Sequence, residues 1–109
     1  MFRALALILI AGGAAAEERP LAGNEIAALL PTIVALGTGT RQTFSAAGAT
    51  TYSQGGRDSF GSWEVRGDRY CSRWPPADGW ACYDVMRDGE TLVWVGESRA
   101  RTVNRIAPR

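Results

Sequence analysis

Residues 63–73, WEVRGDRYCSR, and residues 81–95, ACYDVMRDGETLVWV, are the two stretches that decide the fold. Large apolar or aromatic residues alternate with polar ones through both stretches, which is the period of a half-buried β-strand. The Gly-Asp pair at 67–68 and the Asp-Gly pair at 88–89 are typical of two-residue hairpin turns. The stretches therefore predict four consecutive antiparallel strands.

Three constraints fix the register of these four strands. The two turns set the first and the last pair of strands, with Val85 opposite Leu92 in the last pair. Between them, a disulfide requires Cα atoms within about 7 Å, so Cys71 lies opposite Cys82. The three registers agree, because together they give one mostly apolar face and one mostly polar face. The apolar face carries Trp63, Val65, Tyr70, Ser72, Tyr83, Val85, Leu92 and Trp94, and the outer face carries Glu64, Arg66, Arg69, Cys71, Arg73, Cys82, Asp84 and Val93.

The rest of the chain predicts one short helix followed by more strands. Asn24 is the expected N-cap of the helix, and Pro31 ends it. Beyond Pro31 the chain is rich in Thr, Val, Tyr, Trp and Gly, with turn signals at the spacing of an antiparallel all-β domain. The predicted strands lie near residues 32–36, 41–45, 50–54, 60–66, 69–74, 80–87, 91–97 and 99–106. Because one apolar face must be covered, we expect a small antiparallel barrel or a strongly curved meander sheet, with one short N-terminal helix and one disulfide.

Residues 1–16 have the layout of a secretory signal peptide. Arg3 precedes an apolar run at residues 4–11, and residues 14–16 are three alanines that suit signal-peptidase cleavage. The apolar run is about half of the roughly 20 residues that a membrane span needs. We therefore expect export to the periplasm or out of the cell, and a single small β domain at residues 17–109 with no membrane span. In an oxidising compartment Cys71 and Cys82 are expected to pair.

Composition excludes several classes of chemistry. The chain has 12 basic residues, all arginine, and no histidine, which excludes a Ser-His-Asp triad, lysine Schiff-base chemistry and a histidine metal site. Without the leader, arginines and acids balance, which argues against nucleic-acid binding. Six carboxylates are candidates for acid–base chemistry, and all fall on the outer face or near a turn, away from the apolar face where burial would raise a pKa. They are Asp58, Glu64, Asp68, Asp84, Asp88 and Glu90. The sequence thus predicts no catalytic residue, no metal site, no cofactor and no enzymatic activity.

The chain from Leu21 to Gly89 carries five short motifs in order: Leu21-x-Gly23-x-Glu25-Ile26, Gly61-x-Trp63-x-Val65, Gly67-Asp68-x-Tyr70-Cys71, Cys82-Tyr83-x-Val85 and Arg87-Asp88-Gly89. In their order and spacing they resemble a family of small exported bacterial proteins of unknown function with lipocalin-like, calycin-type architecture. The resemblance implies a cell-envelope location and a barrel, and it supplies no catalytic residues.

Two groups of residues are candidates for function. Trp63, Tyr70, Tyr83 and Trp94 are expected inside the barrel, where they either fill the lumen or face a ligand. Surface residues form the second group, because Trp and Arg are the favoured types at binding hot spots. This group comprises Trp80, Arg73, Arg99 and Arg101.

Each surface candidate also has a purely structural interpretation. Trp80 either anchors a partner or folds back on Arg73 through a cation–π contact. The arginine-rich C-terminal strand is either a patch for an anionic partner or a sheet edge guarded by charge. We expect an exported, non-catalytic cell-envelope binding module whose partner is an envelope protein or a small apolar ligand. The alternatives are a lipocalin-like carrier of an apolar ligand and an inhibitor of an envelope enzyme.

Overall fold

The computed structural model describes residues 17–109, so the predicted signal peptide at 1–16 lies outside the described residues. The eight strands of the barrel follow a short strand and a short helix. Compared with the predicted bounds, the largest difference is in the strand predicted at 60–66, which begins at Arg57. The elements are β1 Arg19–Pro20, α1 Gly23–Leu29, a 3-10 turn Leu30–Thr32, β2 Ile33–Gly37, β3 Thr40–Phe44, β4 Ala49–Gln54, β5 Arg57–Arg66, β6 Arg69–Arg73, β7 Ala81–Asp88, β8 Thr91–Val95 and β9 Arg101–Pro108.

Strands β2 to β9 form a closed antiparallel barrel. Each strand pairs with the next one along the chain, and β9 pairs back onto β2, with Ala35 opposite Ile106. The predicted all-β barrel with one short helix is confirmed, and the open curved sheet is excluded because the sheet closes. The expectation that the C-terminal strand is a sheet edge is wrong, since β9 has a hydrogen-bonded neighbour on both sides.

The register of β5, β6 and β7 is the predicted one. Val65 lies opposite Tyr70, and Cys71 lies opposite Cys82. The two cysteines form a disulfide with their Cα atoms 4.0 Å apart. The alternation of inward and outward side chains in these strands therefore follows the sequence analysis.

The β7–β8 hairpin differs from the expected register by two residues. Val85 lies opposite Trp94 instead of Leu92, and Asp88 is still in the strand, opposite Thr91. The turn is therefore Gly89-Glu90, with a positive φ of 60° at Gly89. A turn with glycine first needs a positive φ at that residue only, whereas Asp88-Gly89 in a type I′ turn would need it at both. Because the shift is even, every side chain keeps its predicted face.

Helix α1 begins two residues earlier than the predicted Asn24 cap would place it. Ala22 is the N-cap, and its backbone N–H donates to Glu25 Oε1 at 2.9 Å. The N–H of Gly23 donates to Asp68 Oδ1 in the β5–β6 turn at 2.7 Å. A carboxylate from a distant turn thus caps the helix, which sequence-local capping rules do not anticipate.

The helix closes one end of the barrel. Ile26 and Leu30 are fully buried in one cluster with Phe44 and Trp63, and α1 packs on β5 and β6. The C-terminal Arg109 reaches the same end, where its guanidinium donates to the Phe44 carbonyl at 2.6 Å. This half of the lumen is therefore filled with side chains.

Replacement of Gly23 by alanine is expected to destabilise the fold. A Cβ at position 23 would lie 2.0 Å from the Gly67 carbonyl oxygen, so either the helix or the β5–β6 turn would have to move. We expect Gly23→Ala to lower the free energy of unfolding by about 1–3 kcal/mol. Urea denaturation measures it, with Gly79→Ala, at a site with open space, as the control. Equal stability of the two variants would contradict the packing at the helix start.

The disulfide is expected to contribute about 3 kcal/mol to the free energy of unfolding, since it closes a short loop in the unfolded chain. Reductant should therefore lower the melting temperature of the wild-type protein. The variant that carries both Cys71→Ala and Cys82→Ala should melt at a reduced temperature that reductant no longer changes. A wild-type melting temperature that is insensitive to reductant would refute this contribution.

Candidate functional site

The half of the lumen opposite α1 is hollow. A cavity of about 840 Å³ opens at the end of the barrel where the β2–β3, β4–β5 and β6–β7 connections lie. Its mouth is bordered by residues from these connections and from the starts of β5 and β9, among them Thr38, Phe60, Pro75 and Thr102. A barrel of this size that is filled at one end and open at the other has the form of a cup.

Aromatic rings form the floor and part of the wall of this cup. The Tyr70 and Trp94 ring centroids are 4.8 Å apart, and Tyr83 stacks on Tyr70 at 5.7 Å. These three rings border the cavity. Trp63, the fourth predicted interior residue, packs edge-on against Phe44 in the filled half, and its indole N–H donates to the Ser45 carbonyl at 2.9 Å. The structure thus brings all four residues into one interior cluster, with Trp63 on its far side from the cavity.

Gln42 and Tyr70 form a buried polar network at the cavity floor. The Gln42 amide nitrogen donates to Thr50 Oγ1 and to the Tyr70 hydroxyl, each at 3.0 Å. Thr50 in turn donates to the Thr43 carbonyl at 2.9 Å. Both amide hydrogens of Gln42 are therefore engaged by the protein, and the network holds the Gln42 side chain in one orientation.

Asn104 on β9 is the second carboxamide that borders the cavity. It is 6% exposed, as is Gln42. Its amide nitrogen lies 3.5 Å from the carbonyls of Leu92 and Thr102, and its Oδ1 is directed toward Gly37 on β2. The sequence analysis missed Gln42 and Asn104. The signal that could have found Gln42 is the alternation in β3, since an inward Phe44 also turns Gln42 inward.

Tyr70 is a neutral hydrogen-bonding group at neutral pH. Burial raises the pKa of its phenol above the ordinary value, and this effect outweighs the opposing contacts with Ser72 and Gln42. Ser72 also accepts a hydrogen bond from the Trp74 indole N–H at 3.1 Å. The floor of the cavity is therefore polar in places without carrying charge.

Charge is sparse around the cavity. Among residues 17–109, Asp58 is the one charged side chain that borders it, and it accepts a hydrogen bond from the Ser53 hydroxyl at 2.5 Å. Asp58 lies at the mouth, beside the β4–β5 turn. No arginine of the described chain borders the cavity.

Trp80 folds back onto the outer face of the barrel. Its ring lies 4.7 Å from the Arg66 guanidinium carbon and 5.3 Å from that of Arg73. The residue is half-buried, and Cys71 on the same face is fully buried. Trp80 therefore makes the cation–π contact with Arg73 that its structural interpretation predicts, and it makes a second one with Arg66.

The remaining surface candidates, Arg99 and Arg101, lie in and next to the β8–β9 connection. Residues of this connection border one surface pocket together with Trp80. Arg99 lies in the β8–β9 connection with a positive φ of 71°. Arg101 starts β9 and forms an ion pair with Glu18. Strands β7 and β8 separate Arg101 from Arg73 on β6. Arg73 and Arg101 are therefore not on neighbouring strands of the sheet.

No helix within residues 17–109 is long and apolar enough to cross a membrane. In the same part of the chain, no three His, Cys, Asp or Glu side chains lie close enough to hold a metal ion. Comparison of the chain with protein-family models, curated proteins and solved structures finds no match.

Tyr70 is expected to make the fold sensitive to alkaline pH. In the unfolded chain the phenol titrates near its ordinary pKa of 10.0, whereas burial raises this pKa in the folded chain. The folded state therefore holds the proton more tightly, and this stabilisation is complete below about pH 10 and is lost as the pH rises through the folded pKa. Denaturation by urea at several pH values should show a smaller alkaline loss of stability for Tyr70→Phe than for wild type. Tyr52→Phe is the control, and an unchanged loss in Tyr70→Phe would refute the assignment.

Proposed function

We propose that this chain is an exported, non-catalytic cell-envelope protein that holds a small, largely apolar ligand inside its barrel. The observation that carries the proposal is the asymmetry of the lumen. One end is packed with Ile26, Leu30, Phe44 and Trp63, while the other holds an open cavity of about 840 Å³. Of the functions that the sequence predicts, the carrier has the most support from this geometry.

The size and lining of the cavity fit a small molecule. Ligand sites commonly have volumes of about 300–1,000 Å³, with apolar and aromatic walls and a few polar groups that fix the orientation of the ligand. Here Tyr83 and Trp94 supply aromatic wall, and Gln42 and Asn104 supply buried polar groups. A closed eight-stranded barrel is also an architecture that can hold one small ligand in its interior.

The chemistry of the lining supports binding rather than catalysis. General acid–base catalysis needs titratable groups with pKa values near the working pH, and hydrolytic sites commonly use two carboxylates. In the described chain Asp58 is the one carboxylate at the cavity, and the shift of the Tyr70 pKa is away from neutrality. These groups are suited to hydrogen bonding with a ligand.

Export is part of the proposal. The Cys71–Cys82 disulfide is compatible with an oxidising compartment. The predicted signal peptide at residues 1–16 and the resemblance to small exported proteins support the same location, periplasmic or secreted. The ligand would then be met outside the cytoplasm.

A protein partner, including an envelope enzyme that the chain inhibits, is the weaker alternative. Its main support in the sequence is an exposed Trp80, whereas the Trp80 ring is half-buried and in cation–π contact with Arg66 and Arg73. The Arg101 side chain is likewise engaged with Glu18. A partner would have to displace these contacts before it could use either side chain.

Binding of an uncharged fluorescent probe tests the carrier function. We expect N-phenyl-1-naphthylamine to gain fluorescence saturably, with one molecule bound per chain, because the probe enters the apolar cavity. Thr102→Trp places an indole at the mouth and should weaken binding about tenfold or more by occupying the cavity.

Ala47→Trp is the matched control, since it adds the same side chain at an exposed turn at the opposite end of the barrel. It should bind the probe as wild type does. Absence of saturable binding to wild type, or equal binding to both tryptophan variants, would refute a ligand site in this cavity.

A further inference from the structure

We infer that the ligand is an uncharged aromatic compound that donates hydrogen bonds, from O–H or N–H groups, to Gln42 Oε1 and Asn104 Oδ1. The inference rests on the proposed function and names the chemical class that the same cavity would accept. It follows from the hydrogen bonds of the two carboxamides, the distribution of charge around the cavity and the shape of its walls.

The Gln42 side chain has an unused acceptor. Its two amide hydrogens go to Thr50 and Tyr70, which leaves Oε1 for the cavity. Among the hydrogen bonds of residues 17–109, none is donated to this oxygen, although the residue is 6% exposed. A carbonyl oxygen in such a place needs a donor from a ligand or from water.

Asn104 repeats this arrangement on another strand. Its amide nitrogen faces the carbonyls of Leu92 and Thr102, so its hydrogens are directed at the protein backbone. Its Oδ1 lies toward Gly37 and Thr40, which also border the cavity, and among the hydrogen bonds of residues 17–109 none is donated to this oxygen. Two buried side chains thus present the same chemical group, a carbonyl oxygen, to the space inside the barrel.

Charge around the cavity disfavours an anionic ligand. A carboxylate or phosphate that leaves water needs a cation or several donors to replace its hydration. No arginine of the described chain borders the cavity, and the one charged side chain there, Asp58, is itself an anion at the mouth. Fatty acids and phosphate esters are therefore disfavoured as ligands.

The rings in the cavity favour an aromatic ligand. Tyr83 stacks on Tyr70 with an angle of 23° between the ring planes, and Trp94 is tilted against Tyr70. All three border the cavity, so a flat ring that enters can make offset or edge-to-face contacts with several of them. An aromatic body with donor groups at its inner end satisfies both the walls and the floor.

A series of naphthalenes that differ in one group tests the ligand class at neutral pH. 2-Naphthol is neutral and has one donor, its methyl ether has none, and 2-naphthoate is an anion. Tryptophan quenching or calorimetry should show that 2-naphthol binds about three- to tenfold more tightly than the methyl ether, which is the size of one neutral hydrogen bond. 2-Naphthoate should bind more weakly than both.

Asn104→Leu assigns the donor preference to a residue. The leucine keeps the volume but removes the acceptor, so the preference for 2-naphthol over its methyl ether should fall toward one. Arg105→Leu, on the exposed face of the same strand, should leave the preference unchanged. Gln42→Met is the second test of this kind. A purely structural effect of a variant would weaken both probes equally and leave their ratio as in wild type.

The outcomes separate the two proposals. If the methyl ether or 2-naphthoate binds wild type as tightly as 2-naphthol, the cavity binds ligands but the inferred ligand class is wrong. If the ratio persists in both variants, the two carboxamides are not the acceptors. If no naphthalene and no N-phenyl-1-naphthylamine binds, the proposed function itself fails.

Discussion

The pairing of β9 with β2 is the contact on which the rest of the molecule depends. Without it the eight strands would be an open sheet with one apolar face exposed to water and with two edges available to other chains. Closure places the inward side chains of all strands around one lumen. Only one end of that lumen then needs to be covered, which α1 and the 3-10 turn that follows it do with Ile26 and Leu30.

A gradient of side-chain size along the strands explains why the closed barrel is half full. On β2 the inward residues shrink from Ile33 through Ala35 to Gly37 as the strand runs from the helix end to the mouth. On β3 the inward side chains also become smaller from the helix end to the mouth, from Phe44 to Thr40. Large side chains meet at the helix end and fill it, whereas small ones at the mouth leave the space between the walls empty. The decreasing size of the inward residues along β2 and β3 therefore accounts for the cavity at this end of the barrel.

Local patterns in the sequence were sufficient to predict the strand register in one half of the barrel. The β5–β6 turn and the disulfide set Tyr70 and Cys71 opposite their partners, because a two-residue turn and a covalent bond each fix a register directly. The β7–β8 register could not be fixed in this way, since Asp88-Gly89 and Gly89-Glu90 both make hairpin turns with the same faces. The sequence left open whether the lumen is filled or hollow, because the inward position of Gln42 is established only when the alternation in β3 is combined with the pairing of the strands before residue 60.

The outer face contributes to the cavity through the β6–β7 connection. Trp74 and Pro75, at the start of this connection, border the mouth. Trp80, at its end, is in cation–π contact with Arg66 and Arg73. The disulfide fixes the two strands just outside the same connection. A loop held at both ends loses less conformational freedom when a ligand arrives, so more of the contact energy appears as affinity. The disulfide and the cation–π contacts lie on the far side of the wall from the cavity, yet they hold the two ends of the connection that borders its mouth. For the proposed ligand, they would lower the conformational cost of binding.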